Sequence, residues 1–232
     1  MAMIGQEFED ARERWVIDQL AALPAGLSII DVGAGASPFR KHCAHLQYTA
    51  QDFCQYDGQG DGTALQNGTW TYPHIDIVSD ITSIPVQDGR FDAALCTEVI
   101  EHVPDAVGAL NEISRILKPR GSTLILTAPF SSLAHQTPHY YYTGFSRYFY
   151  QHHLERLGFT LSISANGNFF DFVNKELRRI PNMAGGYAGA QISEAAIDLI
   201  RQLVGGLQEL SRRDKGSAEV LNCGLHVIAR RA

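Results

Sequence analysis

The chain is poor in cysteine, lacks a long apolar run and carries no basic surplus. Its 232 residues hold four cysteines, Cys43, Cys54, Cys96 and Cys223. They are widely spaced, form no Cys-x-x-Cys pair and so argue against a thiolate zinc site or a disulfide framework. The compartment expected from that usage is reduced and cytoplasmic. No apolar stretch approaches membrane-spanning length. The first residues place Glu7, Glu9 and Asp10 where a secretory leader has a basic region and an apolar core. Lys and Arg number 19 against 25 Asp and Glu, a formal charge of -6. The basic residues come as scattered pairs, Arg178-Arg179, Arg212-Arg213 and Arg230-Arg231, so no nucleic-acid partner and no membrane insertion are expected.

What is present is enough apolar material, 45% of the residues, for one sizeable core, and a single domain over 1–232 is expected. Residues 5–22 place Phe8, Ala11, Trp15, Val16 and Leu20 at helical spacing, stopped by Pro24-Ala25-Gly26; this is the N-terminal helix of segment 1–26. Strands follow at Ser28 to Ile30, running into Asp31, and at Gln47 to Asp52, Ile75 to Val78, Phe91 to Thr97 and Ser122 to Ala128. Helices are predicted at Pro38 to Leu46, with Ser37 as its cap, and at Asp105 to Leu117. The stretch from Tyr56 to Trp70 is polar and Gly-rich and reads as a long loop. Strands alternating with helices over 27–165 point to a doubly wound α/β core. Beyond it, Phe145 to Leu157 reads as a helix, with strands at Phe159 to Ala165 and, in segment 216–232, Cys223 to Ala229. Between these two strands, segment 166–215 has helical pattern at Asp171 to Ile180 and Ser193 to Arg213, broken by Gly185-Gly186-Tyr187-Ala188-Gly189. It is expected to be a helical insertion or cap.

The stretch that organises the chain is Ser28-Ile29-Ile30-Asp31-Val32-Gly33-Ala34-Gly35-Ala36-Ser37-Pro38. An apolar strand runs into an acid and then a turn of small residues, which lets a ligand approach backbone at the strand's C-terminal end. A dinucleotide fingerprint would need a third glycine at position 38, and Pro38 stands there. Asp52 ends the second strand, Asp80-Ile81 the third, and Phe91-Asp92-Ala93-Ala94-Leu95-Cys96-Thr97-Glu98-Val99-Ile100-Glu101-His102-Val103 and Ile116-Leu117-Lys118-Pro119-Arg120-Gly121 follow. Together with Asp31-x-Gly33-x-Gly35 these segments resemble class I S-adenosylmethionine-dependent methyltransferases of the small-molecule type. Ser37 stands where that family often has a third glycine.

The resemblance implies a Rossmann-like, mostly parallel seven-stranded sheet with helices on both faces and a helical insertion before the last strand. It implies S-adenosyl-L-methionine as cofactor, leaving as S-adenosyl-L-homocysteine. Gly33 and Gly35 would admit the amino-acid moiety, Asp31 would orient its ammonium, Asp52 would accept from the ribose hydroxyls, and Asp80 and the Ile81 backbone would read adenine. Thr97 and Glu98 would line the methionine side. Capping or solvation is the structural alternative for the three acids.

For a hydroxyl acceptor the family's in-line displacement needs a base. His102, after the fourth strand, and His135 and His139, after the fifth, are the candidates, with loop-fixing and substrate contact as their other readings. The aromatic run Tyr140 to Tyr142, with Phe145, Tyr148, Phe149 and Tyr150, reads either as a stacking wall or, for most of its length, as core. Thr97-Glu98-Val99 stands where nucleic-acid amino-methyltransferases have an Asn/Asp-Pro-Pro-Tyr-like turn. No Pro-Cys nucleophile is present there, and no metal-ligand cluster is expected. The segment from Pro129 to Tyr148 is similar to methyltransferases of bacterial glycan and secondary-metabolite pathways. O-methylation of a small-molecule or saccharide-containing acceptor is therefore expected. N-methylation of a small amine and a cofactor-binding partner subunit without turnover stand as alternatives. A homo-oligomer would form through the 171–213 helices.

Overall fold

The structure, a computed structural model, describes residues 6–66 and 68–232. Gly5, where the first helix is expected to begin, and Asn67 of the polar interval lie outside the described residues. Seven strands, β1 (Ser28–Val32), β2 (Gln47–Asp52), β3 (Ile77–Val78), β4 (Ala93–Thr97), β5 (Thr123–Ala128), β6 (Thr160–Asn166) and β7 (Gly224–Arg230), form one sheet in the order β3-β2-β1-β4-β5-β7-β6. β1 pairs in parallel with β2 and β4, β2 with β3, and β4 with β5; β5 pairs antiparallel with β7. This is the mostly parallel α/β sheet that the alternation predicts. The strand order reverses beside β1, so β1 and β4 flank the crevice where such sheets bind ligands.

By its contacts the chain divides into two compact units. One comprises Glu13–Ser164 with Leu225–Ala232. In it the pleat sends alternate residues of each strand to opposite faces. Ile30 and Val32 of β1 join a core with Leu110, Ile113 and Ile116 of α2 (Ala106–Ile116) and Tyr150 and Leu154 of α3 (Arg147–Arg156). Ile29, on the opposite face, packs with Phe39 and with Val16 and Leu20 of α1 (Gln6–Ala21). Helices thus cover both faces. α2 starts where its sequence says: Asp105 accepts from Gly108 N at 2.7 Å through Oδ1, satisfying an otherwise orphan donor of the first turn.

The second unit comprises Ala165–Gly224 and the chain up to Arg12. Here α4 (Phe169–Tyr187) opens on a reciprocal capping box between Asn168 and Asp171, and α5 (Glu194–Arg213) on Ser193, whose Oγ accepts from Ala196 N. The two helices lie against each other, with Asn168 Nδ2 donating to Ser211 Oγ at 3.0 Å and Asn174 Nδ2 to Val204 O at 3.4 Å. α4 runs through Gly185 and Gly186, where the sequence predicts a break. Glycine lowers helix propensity by about 1 kcal/mol without removing a donor, so a packed helix tolerates it. The stop comes after Tyr187, where Ala188 N and Ala190 N both donate to Ala184 O.

One predicted element is absent. Pro38 to Leu46 is not an α-helix but a chain of tight turns around a 3-10 segment at Arg40–His42. Ser37 does not cap it in the extended conformation of an N-cap; its φ is +53°. Backbone donors there reach three residues back, Arg40 to Ser37, His42 to Phe39, Cys43 to Arg40 and Leu46 to Cys43. The left-handed residue directs the chain into tight turning, and burial of Phe39 and Cys43 under β1 holds it there. No helix among the described residues is long and apolar enough to cross a membrane.

Ile113 is fully buried on α2. Ile113→Ala is expected to lower unfolding free energy by about 2–5 kcal/mol, and Asp105→Ala by about 1 kcal/mol, read by urea denaturation.

Candidate active site

The turn after β1 is closely packed at its two glycines. Gly33 and Gly35 have φ of +72° and +52°; a Cβ would stand 2.5 Å from Val99 Cγ2 at Gly33 and 2.7 Å from Trp70 Cζ2 at Gly35. Gly33 N and Ala34 N donate to Gln51 O, both at 2.9 Å, and Gly35 N donates to Asp52 Oδ2 at 2.8 Å. The other Asp52 oxygen accepts from Cys54 N at 2.8 Å. A buried carboxylate at the end of β2 therefore fastens the glycine turn, and an ionised carboxylate retains lone-pair capacity for a further donor.

Asp31 is buried on β1. Its Oδ2 accepts from the Tyr48 hydroxyl at 2.5 Å, and its Oδ1 has no hydrogen-bond partner. Burial pushes the Asp31 carboxyl up to about 7; the Tyr48 hydrogen bond opposes that rise and the Asp52 charge adds to it. Burial likewise pushes the Tyr48 hydroxyl up.

A cavity of about 460 Å³ opens at the C-terminal ends of the parallel strands, within the size range of small-ligand sites. Its lining includes Phe53, Asp80, Ile81, Val99, His102 and His139. The structure thus brings four of the predicted site residues, Asp80, Ile81, His102 and His139, to one cavity. Asp31, Gly33, Gly35, Asp52, Thr97, Glu98 and His135 do not line it. Val99 links the two groups, since it lines the cavity and lies over Gly33. Asp80 also caps its own turn, with Oδ1 accepting from Thr82 N and Thr82 Oγ1. Glu98, just after β4, has φ +54° and donates its N–H to Thr127 O. Among the described residues four non-glycines take positive φ: Ser37, Cys54, Glu98 and Gln136. They follow β1, β2, β4 and β5, so strained backbone gathers at the site's edge of the sheet.

The histidines converge. His102 Nδ1 lies 2.6 Å from His139 O, and because a carbonyl only accepts, Nδ1 carries the hydrogen. His135 Nδ1 lies 2.9 Å from Leu133 O and carries its hydrogen for the same reason. The His102 and His135 rings are 4.7 Å apart, and Tyr140 sits 5.2 Å from His135. Burial pushes His102 down to about 4, with the nearby His135 charge acting in the same direction and the His139 carbonyl against it. His102 is therefore neutral at neutral pH. The His139 ring is held edge-on by Phe53 at 5.1 Å. Glu101 is fully buried, and its backbone oxygen accepts from Tyr141 N and Tyr142 N, which ties the loop after β5 to the turn after β4. Further along the aromatic run, Tyr150 belongs to the core and Phe145 and Phe149 pack against it; the two phenylalanines stack and Tyr150 meets them edge-on, while Tyr148 is exposed.

Sequence reading gave no place to Trp70, Val99, Phe53 or Tyr48. Trp70 lies in a polar stretch without periodicity, so nothing local marks its seat over Gly35. Val99 sits inside a segment already assigned by its neighbours.

A family model described as a methyltransferase domain matches residues 30–125. The ubiquinone biosynthesis O-methyltransferase of Xanthomonas axonopodis pv. citri is 32% identical over 107 residues, 45% of this chain and 44% of that protein. The demethylmenaquinone methyltransferase of Beutenbergia cavernae is 27% identical over 214 residues, 91% of this chain and 82% of that one. The chain spans less than half the length of the Xanthomonas relatives it matches. Among solved structures, the YcgJ protein from Bacillus subtilis superposes with a TM-score of 0.55 at 12% identity, covering 96% of this chain and 99% of that one. The Haemonchus contortus phosphoethanolamine N-methyltransferase 2 in complex with S-adenosyl-L-methionine gives 0.55 at 16% identity, covering 95% and 52%. At such identities these likenesses show the fold.

Because the folded Asp31 carboxyl titrates near 7 and an unfolded one near 4, the native state holds more protons between those values. Stability therefore falls as pH rises from about 4 to 7 and is level above, a loss of about 4 kcal/mol. Urea denaturation across that range is expected to show this slope in the native protein and to lack it in Asp31→Asn.

Proposed function

We propose that the chain is a class I S-adenosylmethionine-dependent methyltransferase, a reading supported by the methyltransferase-domain match over residues 30–125, and that it transfers a methyl group from S-adenosyl-L-methionine to a hydroxyl of a small-molecule or saccharide-containing acceptor. The observation that carries the reading is one cavity lined by Asp80 and Ile81 and by His102 and His139, adjoining the glycine turn through Val99. The residues present fit the cofactor. The unpartnered buried Asp31 Oδ1 suits an ammonium, directly or through water. Asp52 would hold the ribose hydroxyls, Asp80 and the Ile81 backbone the adenine, and Thr97 and Glu98 the methionine side.

The cofactor supplies a methyl carbon already activated by the sulfonium charge, so the protein's task is alignment and proton removal. His139, on the cavity wall, takes the acceptor proton. His102, neutral and bonded through Nδ1 to the His139 carbonyl, fixes that residue's backbone and so acts as a positioning group. The name of the Xanthomonas relatives, O-methyltransferases, supports oxygen as the acceptor atom. A homo-oligomer through the 171–213 helices belongs to the same proposal, supported by the exposed Leu199, Leu203 and Leu210 of α5.

S-adenosyl-L-homocysteine release measured over a panel of hydroxylated glycans and glycosides tests the reaction. His139→Ala is expected to lower kcat by about 10²–10⁴-fold while cofactor affinity by calorimetry stays within a few-fold; an unchanged rate removes His139 as the base. In sedimentation, Leu203→Asp is expected to shift the chain to monomer.

A further inference from the structure

We propose that Glu101, His102 and His135 form a binding site for a divalent first-row transition metal ion such as Zn²⁺. The three residues each present a ligand atom, and those atoms all lie within 4.8 Å of one another. They come from two segments: Glu101 and His102 from the 3-10 turn Ile100–His102 after β4, and His135 from the loop after β5. Two histidines and a carboxylate are the donor set of many catalytic zinc and non-haem iron sites.

Three independent features support this. The first is tautomeric. Both imidazoles donate Nδ1–H to a backbone carbonyl, His102 to His139 and His135 to Leu133, so the neutral form of each ring has its lone pair on Nε2. A carbonyl on the far nitrogen is the outer-shell arrangement that orients metal-bound histidines. The second is geometric. The His102 side chain is nine-tenths buried, and its Nε2 stands 3.8 Å from Glu101 Oε1. Donors bound to one metal at about 2.0–2.2 Å stand roughly 3–3.5 Å apart, so 3.8 Å closes with a small side-chain movement. The third is access. His102 also lines the cavity, which leaves the ion an open position toward it.

Binding of the ion requires nothing from the methyltransferase reading; its role in turnover rests on it. There the ion would take the acceptor hydroxyl as a fourth ligand and lower its pKa. The proton passes to His139, the O–C bond forms and the C–S bond of the cofactor breaks, leaving S-adenosyl-L-homocysteine.

The test titrates the chelator-stripped full chain with Zn²⁺ by calorimetry and with Co²⁺ by visible absorption. One ion per chain is expected, with Co²⁺ giving the d–d bands of a low-symmetry site. His135→Ala, a half-exposed loop position, and Glu101→Gln are each expected to weaken binding by at least about 100-fold. Absence of binding, or equal affinity in a folded His135→Ala chain, overturns the site. S-adenosylmethionine calorimetry on the same samples separates the two proposals: cofactor bound without metal sinks the metal site alone, and metal bound without cofactor sinks the methyltransferase reading alone.

Discussion

A buried carboxylate caught between two backbone amides governs this site. Asp52 receives Gly35 N on one oxygen and Cys54 N on the other, so the turn after β1 and the exit from β2 are set by one group. Each of those backbone donors lies where no helix or strand ladder serves it, and buried amides need acceptors. With that bond in place, the glycines hold positive φ, Val99 reaches over Gly33 and Trp70 over Gly35. Asp31 lies behind the same turn, in a pocket dry enough to keep its proton near neutrality.

The fold was legible because its cause is local and repeated. Buried parallel strands need near-continuous apolar runs, and Leu124-Ile125-Leu126 and Ala93-Ala94-Leu95 supply them; the amphipathic stripe of α2 and its Asp105 cap are equally plain. The crossover after the glycine turn was not legible. Ser37-Pro38 has the composition of a helix start, but the chain enters it from a left-handed residue, and φ at a serine leaves no trace in sequence.

The site was legible at its acids and less so at its neighbours. Asp31, Asp52 and Asp80 stand at successive strand ends, and the resemblance to methyltransferases marks them as cofactor contacts. Their different surroundings were invisible: Tyr48 on Asp31, two amides on Asp52 and a Thr82 turn on Asp80. The convergence of His102 with His135 was hidden as well, because the two rings meet only when the β5 loop folds back to give Tyr141 N and Tyr142 N to the Glu101 carbonyl. A cluster built from two loops has no spacing to read.

The four left-handed residues at the strand ends have a bearing on how this protein could be made hardier. Each of Ser37, Cys54, Glu98 and Gln136 holds a backbone that glycine or asparagine adopts with less strain, at a cost of about 1–3 kcal/mol apiece. Selection for heat resistance would find its readiest gains on this rim rather than in the close-packed core. Cys54 and Glu98 each adjoin in sequence a residue that lines the cavity, so thermal robustness and the shape of that lining draw on neighbouring positions.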